Sequence, residues 1–195
     1  MPAVGVLALQ GDVREHVRAL REIDVSATLV RSAADLRGLD ALIIPGGEST
    51  TIAHLLATSG LKEPLGQALS GGLAVLGTCA GLILIARHVI DGRNDQWSYA
   101  LLDVSLRRNG YGRQIASFET TLSVTGVGDV TGVFIRAPRI ESFGASVDVL
   151  ASYDAGDGAH AVLVRSGLVF GCCFHPELTS DTRIHQLFVD AVRAQ

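Results

Sequence analysis

Three short groups of residues in this chain have the types and spacing that hydrolytic chemistry needs. The first centres on Cys79, in the stretch LAVLGTCAGLILIA (residues 73–86), where an apolar run enters a turn of small residues and continues as a second apolar run. Glycine at Gly77 and Gly81 lets a strand reverse sharply into a helix and pack closely on it, leaving the thiol at the end of the strand as in a nucleophile elbow. A helix that starts just after Cys79 aims its free N–H groups and positive dipole end at the sulfur, which favours a thiolate and a developing oxyanion. On its own, the same pattern reads equally as a small buried hydrophobe.

The second group is His175-Pro176-Glu177, placed after the apolar run of residues 168–174 and so at the exit of a strand. In extended backbone, residues i and i+2 face the same way, which brings the Glu177 carboxylate within reach of the His175 imidazole, with Pro176 fixing the chain between them. A base with its orienter, added to a cysteine at another strand end, makes a nucleophile, base and orienter set. The third group is Pro45-Gly46-Gly47-Glu48-Ser49 at the end of a further strand, the side on which open α/β sheets bind ligands. Its glycine pair lets a peptide N–H, that of Gly47, approach an anionic oxygen, and the N–H of Ala80 is the natural second donor of an oxyanion hole. Ser49 also reads as an ordinary helix N-cap.

Composition narrows the setting. The chain has 195 residues, the size of a single domain that buries its own core, and a net charge of −4 with no basic run, which argues against nucleic acid as a partner. Three cysteines, two of them adjacent at Cys172 and Cys173, form neither a disulfide framework nor a metal spacing, so a reducing cytoplasm is the expected compartment. The N-terminus carries no basic segment or cleavage pattern of an export signal. Residues 64–86 lack charge over a bilayer-spanning length, but Pro64, Gln67, Ser70 and Gly71-Gly72 interrupt them, so no membrane span is expected.

The elements that must position these groups follow from periodicity. Residues 4–9 read as a central buried strand, and Asp12 as the cap of a helix over 13–23 with Val13, Val17 and Leu20 inward. Residues 25–30 and 41–44 read as strands, 50–56 and 61–69 as helices, and 73–76 as the strand leading to Cys79. Strand and helix alternate in this way in a parallel sheet with helices on both faces. From residue 101 onward, short β-rich runs at 101–106, 115–124 and 133–135 predict an antiparallel extension, and residues 147–151, 161–164 and 168–174 continue as strands. The glycine-rich patch 126–132 reads as a turn, and residues 184–192 as a closing helix with Ile184, Leu187, Phe188 and Ala191 inward. The fold class is therefore α/β, a three-layer open and mostly parallel sheet with flanking helices and an antiparallel extension. His16, His54, His88, His160 and His185 show no ligand-like spacing and read as structural or surface residues.

PGGEST, GTCAG and HPE, in this order, resemble the triad-type (class I) glutamine amidotransferases, which use Cys-His-Glu to hydrolyse glutamine to glutamate and ammonia. LALQGDVREH, PGGESTT, RNGYGRQ, FIRAP and FHPELTSDTRIHQLF further resemble the glutaminase subunits of pyridoxal 5′-phosphate synthase, nearly end to end. That resemblance implies a flavodoxin-like sheet, Cys79 as nucleophile, His175 as general base and acid, and Glu177 as orienter. It also implies an L-glutamine site lined by Gly47, Glu48, Ser49, Arg108, Ile135 and Arg136, and it leaves Arg107 and Arg108 to be told apart. It implies no metal and no organic cofactor, and its partner is expected to be a synthase subunit, the two forming a hetero-oligomeric complex. Gln10-Gly11 is the expected contact through which that partner turns the Gly46-Gly47 peptide inward. The chain departs from the family at Asp12, where a small residue is common, and at Cys172-Cys173. Residues 91–99 match it poorly. The rivals are a glutaminase of another pathway, a γ-glutamyl hydrolase, and a thiol sensor, which would need Cys79 but not His175 and Glu177.

Overall fold

In the computed structural model, which describes residues 1–92, 97–111 and 117–195, the chain is organised by a seven-stranded sheet. Its five parallel strands come from the short apolar runs: β1 (Val4–Leu7), β2 (Ala27–Val30), β3 (Ala41–Ile44), β4 (Ala74–Thr78) and, much later in the chain, β12 (Val169–Cys172). Strands β1, β3 and β4 are buried at every position, as strands covered on both faces must be. The sheet runs β10-β11-β12-β4-β3-β1-β2, so β1 is interior but next to the edge, while β4 takes the middle.

Among the described residues, five α-helices accompany the sheet: α1 (Val13–Glu22), α2 (Ser49–Thr58), α3 (Lys62–Ser70), α4 (Ala80–Ile85) and α5 (Arg183–Arg193). Helix α1 packs on α5, and α2 packs on both α3 and α4. The uncharged stretch 64–86 is thus divided among α3, β4 and α4, and among the described residues no helix is long and apolar enough to cross a membrane. The inner face of α1 is His16, Ala19 and Leu20, with Val13 and Val17 only half-buried. In α5, Ile184, His185, Phe188, Val189 and Val192 are buried, and Leu187 and Ala191 lie at the margin.

The β-rich part beyond the parallel sheet is larger than the sequence predicts, and it is not wholly antiparallel. Strands β5 (Ala86–Val89), β6 (Leu102–Arg107) and β9 (Arg139–Phe143) form a three-stranded sheet in the order β5-β6-β9, with β5 parallel and β9 antiparallel to β6. Two of these have no alternating apolar pattern: β5 follows α4 without a break, and β9 is largely polar, so periodicity passes over both. Strands β7 (Ser117–Val124) and β8 (Gly128–Ile135) form a separate hairpin, and the predicted strand's first residues, 115 and 116, lie outside the described residues. The glycine-rich patch is a turn only at 125–127, and Gly128 and Gly132 belong to β8. Strands β10 (Asp148–Asp154) and β11 (Ala159–Ser166) complete the large sheet, both antiparallel to their neighbours.

This topology sets up the site. β12 lies beside β4 in parallel register, with Cys172 opposite Thr78 and Gly171 opposite Gly77. The two chains therefore leave the sheet at the same edge, one into Cys79 and the other toward His175. β3 also ends there, on the other side of β4, at the loop carrying Gly46 and Gly47.

Candidate active site

Cys79 stands between β4 and α4 with φ 47° and ψ −101°, a backbone region that a non-glycine residue occupies at a cost of about 1–3 kcal/mol. Its own N–H donates to the Cys172 carbonyl at 2.8 Å, which holds the turn in place. The two glycines around it serve close approach: a Cβ on Gly81 would lie 2.0 Å from the Ile44 carbonyl oxygen, and one on Gly77 would lie 2.6 Å from the Gly81 carbonyl carbon. The thiol is 7% exposed, at the floor of a cleft of about 370 Å³, and its sulfur lies 3.9 Å from the Ile135 carbonyl oxygen.

His175 is fixed from the neighbouring hairpin, its N–H donating to the Val133 carbonyl at 2.8 Å. Pro176–Leu178 then form a short 3-10 turn, so Glu177 reaches back through a turn and not along an extended strand as the spacing suggested. The contact nevertheless forms, with His175 Nδ1 2.8 Å from Glu177 Oε1. A second carboxylate, Asp12, lies 3.3 Å from the same ring nitrogen. Burial works against the imidazolium, but the Asp12 carboxylate, the Cys79 sulfur and the Glu177 carboxylate outweigh it and raise His175 well above its ordinary range. Burial pushes the Glu177 carboxyl upward, and its contact with His175 offsets that only in part. The other ring nitrogen, Nε2, is buried with no hydrogen-bond partner among the described residues.

Behind Glu177 lies a buried polar chain that spacing did not reveal. His16 Nε2 stands 3.5 Å from Glu177 Oε2 and 3.2 Å from the Thr78 hydroxyl, while its Nδ1 is 2.9 Å from His185 Nε2. Thr78 in turn accepts the Gly46 N–H at 3.0 Å, which links the glycine loop to the residue before Cys79. Burial favours the neutral form of both histidines, lowering His185 to about 4 and holding His16 well below its usual value, where the proximity of His185 and His175 adds to the effect. His16 and His185 are thus structural, but they form a coupled pair 169 residues apart in sequence that only the packing of α1 on α5 brings together.

The residues expected on the substrate side line the same cleft: Gly47, Glu48, Ser49, Ala80, Arg108, Ile135 and Arg136, together with Gln10 and Asp12. The N-cap of α2 is Glu48 and not Ser49, because the longer carboxylate accepts the N–H groups of Thr50 and Thr51 and both their hydroxyls. Burial opposes its charge, but these four donors prevail and hold the carboxyl down at about 2. Ser49 Oγ is instead buried in the cleft wall. Asp12, predicted as a cap, makes no capping bond. The two arginines separate cleanly: Arg107 pairs outward with Glu141 at 3.1 Å, and Arg108 pairs inside the cleft with Glu48 at 3.0 Å. The Gln10 amide oxygen accepts the Glu48 N–H at 3.0 Å and lies against Gly47. Residues 112–114 of RNGYGRQ and 93–96 of the poorly matching segment lie outside the described residues.

Cys172 and Cys173 sit in the core, unpaired, with thiols that burial pushes up. Among the described residues, one group has donors close enough to hold a cation, Asp12 with His175 and Glu177, whose atoms lie within 4.8 Å of one another. There the His175 nitrogen is already bound to carboxylate.

A structure described as a glutamine amidotransferase superposes with a TM-score of 0.90 at 45% identity, covering 98% of this chain and 99% of the other. PurLQS from Thermotoga maritima shares the fold, with a TM-score of 0.63 at 19% identity, covering 97% of this chain and 99% of the matched one. The pyridoxal 5′-phosphate synthase subunit PdxT of Parafrankia sp. is 55% identical over all of this chain and 95% of its own length. The PdxT of Mycobacteroides abscessus is 51% identical over 99% of this chain and 98% of its own. Residues 6–194 match one family along almost their whole length, and the chain belongs to the SNO glutamine amidotransferase family.

Proposed function

We propose that this chain is the glutaminase subunit of a pyridoxal 5′-phosphate synthase, hydrolysing L-glutamine and handing ammonia to a separate synthase subunit. The observation that carries the reading is the meeting of Cys79, at its strained turn, with the His175–Glu177 pair at one sheet edge. Cys79 attacks the γ-carboxamide carbon, and the N–H groups of Gly47 and Ala80 receive the oxyanion. An imidazolium beside the sulfur is ready to give its proton to the departing ammonia, leaving a γ-glutamyl thioester on Cys79. His175, now neutral, takes a proton from water as the water attacks the thioester carbon, and glutamate leaves as the starting pair of Cys79 thiolate and His175 imidazolium is restored. Glu177 holds the ring through Nδ1, so that Nε2 faces the chemistry.

Arg108 and Glu48 stand side by side with opposite charge, the complement of an amino acid's α-carboxylate and α-ammonium groups. Ser49 Oγ, buried without a partner among the described residues, adds a hydrogen bond to that end of the substrate, and Ile135 and Arg136 close the far wall. Because Gln10 grips the Glu48 N–H and packs on Gly47, a partner that moves Gln10 resets the oxyanion donor. The three unpaired thiols fit a reducing compartment, and we place the reaction in the cytoplasm.

The test is to assemble the chain with the synthase subunit of a pyridoxal 5′-phosphate synthase, then follow glutamate release and pyridoxal phosphate formation. Cys79→Ala is expected to abolish glutamate release and glutamine-dependent synthesis while synthesis from ammonium salts persists. Glutamate release by Cys79→Ala at the wild-type rate would refute the reading.

A further inference from the structure

We infer that Asp12 is a positioning residue for the glutaminase reaction, a second carboxylate that shares with Glu177 the task of holding and charge-balancing the His175 imidazole. The inference rests on the functional reading above and deepens it. Asp12 occupies the capping position of α1, yet its side chain makes no capping bond and is turned onto His175 Nδ1 at 3.3 Å, beside Glu177 Oε1 at 2.8 Å. The backbone commits it to that place. Gly11 has φ 107°, and a Cβ there would lie 1.8 Å from the Gly46 carbonyl oxygen, which itself accepts the Asp12 N–H at 3.3 Å. A Cβ on Gly46 would meet His175 Cε1 at 2.4 Å and Asp12 Oδ2 at 3.4 Å, so the glycine loop leaves room for this contact.

The two carboxylates differ in setting. Glu177 is fully buried, where charge is costly, and its carboxyl is pushed upward. The Asp12 side chain is 35% exposed, so water carries part of the burden of its charge. When His175 is protonated, the exposed carboxylate balances the ring while the buried one orients it. Among the described residues, the other titratable groups around the ring are Cys79 and, behind Glu177, the neutral His16 and His185; Arg18 of α1 reaches Glu177 through its backbone carbonyl and pairs with Glu22 on its own helix.

The test is a double-mutant cycle on glutamate release by the assembled complex, with Asp12→Asn, Glu177→Gln and both together. A lone orienting carboxylate changed to its amide costs about 10⁴ in rate in a triad hydrolase. With Asp12 still in place, Glu177→Gln is expected to lose only about 10², and Asp12→Asn less than about tenfold, while the double variant falls by about 10⁴, well beyond the product of the two. A second readout needs no activity: the His175 ring nitrogens, followed by NMR in the full chain, are expected to titrate about one pH unit lower in Asp12→Asn than in wild type, as loss of a neighbouring charge dictates. A purely structural role for Asp12 would not move that titration. A double variant no worse than the product of the singles, or an unchanged ring titration, overturns the inference. A wild-type complex that releases no glutamate fails the functional reading itself, and the ring titration then still decides whether Asp12 holds His175.

Discussion

Cys79, Cys172 and Cys173 are all buried free thiols, and composition alone does not separate them. Their surroundings do. Cys79 faces the cleft that His175 also lines, whereas Cys172 points at the Phe174 carbonyl, 3.2 Å away, inside the core. A glutamine-mimicking electrophile such as diazo-oxo-norleucine is expected to label Cys79 alone when peptides are mapped by mass spectrometry. Cys172→Ala and Cys173→Ala should keep wild-type labelling and lose about 1 kcal/mol of stability each, the scale of a small core cavity. Label on Cys172 or Cys173 would contradict the placement.

At the scale of elements, the site depends on how closely strand and helix approach behind the thiol. Gly81, in the first turn of α4, lies on the Ile44 carbonyl of β3, and its Cβ would have backbone, not a flexible side chain, 2.0 Å away. Gly81→Ala must therefore push α4 off the sheet. The expected loss is about 1–3 kcal/mol in denaturant melts, with glutamate release falling further because Cys79 and Ala80 move with the helix. An unaltered melting curve would show that α4 has room to shift without cost. Helix α2 gives a second element-scale outcome. The Glu48 carboxyl is held at about 2 in the fold, below its ordinary value, so the stability it confers is present above about pH 4.5 and lost as the pH falls toward 2. The stability gap between wild type and Glu48→Gln should accordingly shrink over that acid range, as read by urea melts at successive pH values. A gap that stays constant would mean the cap bonds do not depend on the charge.

For the molecule as a whole, the buried histidine pair makes folding sensitive to mild acid. His185 titrates at about 4 in the fold, because burial disfavours its charge, but near 6.5 once unfolded. Between these values the unfolded chain binds the extra proton, so stability rises with pH through the window and falls as pH drops below about 6.5. One such group gives a slope of about 1.4 kcal/mol per pH unit. His185→Gln, which keeps a polar partner near His16, is expected to flatten the stability curve between pH 6.5 and 4 relative to wild type. Parallel curves would show that His185 is charged in the native state. The pair also ties α1 to α5, so the two ends of the chain are joined directly behind Glu177.

The sequence by itself settled what chemistry is local. The strand-turn-helix around Cys79, the parallel βαβ order, the strand ends at Gly46 and His175, and the long ordered motifs are all written in contiguous residues, because short-range periodicity and small-residue turns act within a few positions. What depends on partners distant in the chain waited for the tertiary structure. Periodicity does not show that Arg108 turns into the cleft while Arg107 turns out, since Arg107 ends β6 and Arg108 starts the turn beyond it, where no strand alternation applies. Nor does it show that Asp12 leaves its cap for His175, that Glu48 takes the cap from Ser49, or that His16 meets His185. Strand β9 escaped for the same reason, as its polar residues are held by pairing with β6 and not by a buried face of their own. Residue type fixes what a side chain can do, and only the closing of β12 onto β4, with α5 returning to α1, decides which other side chain it does it with.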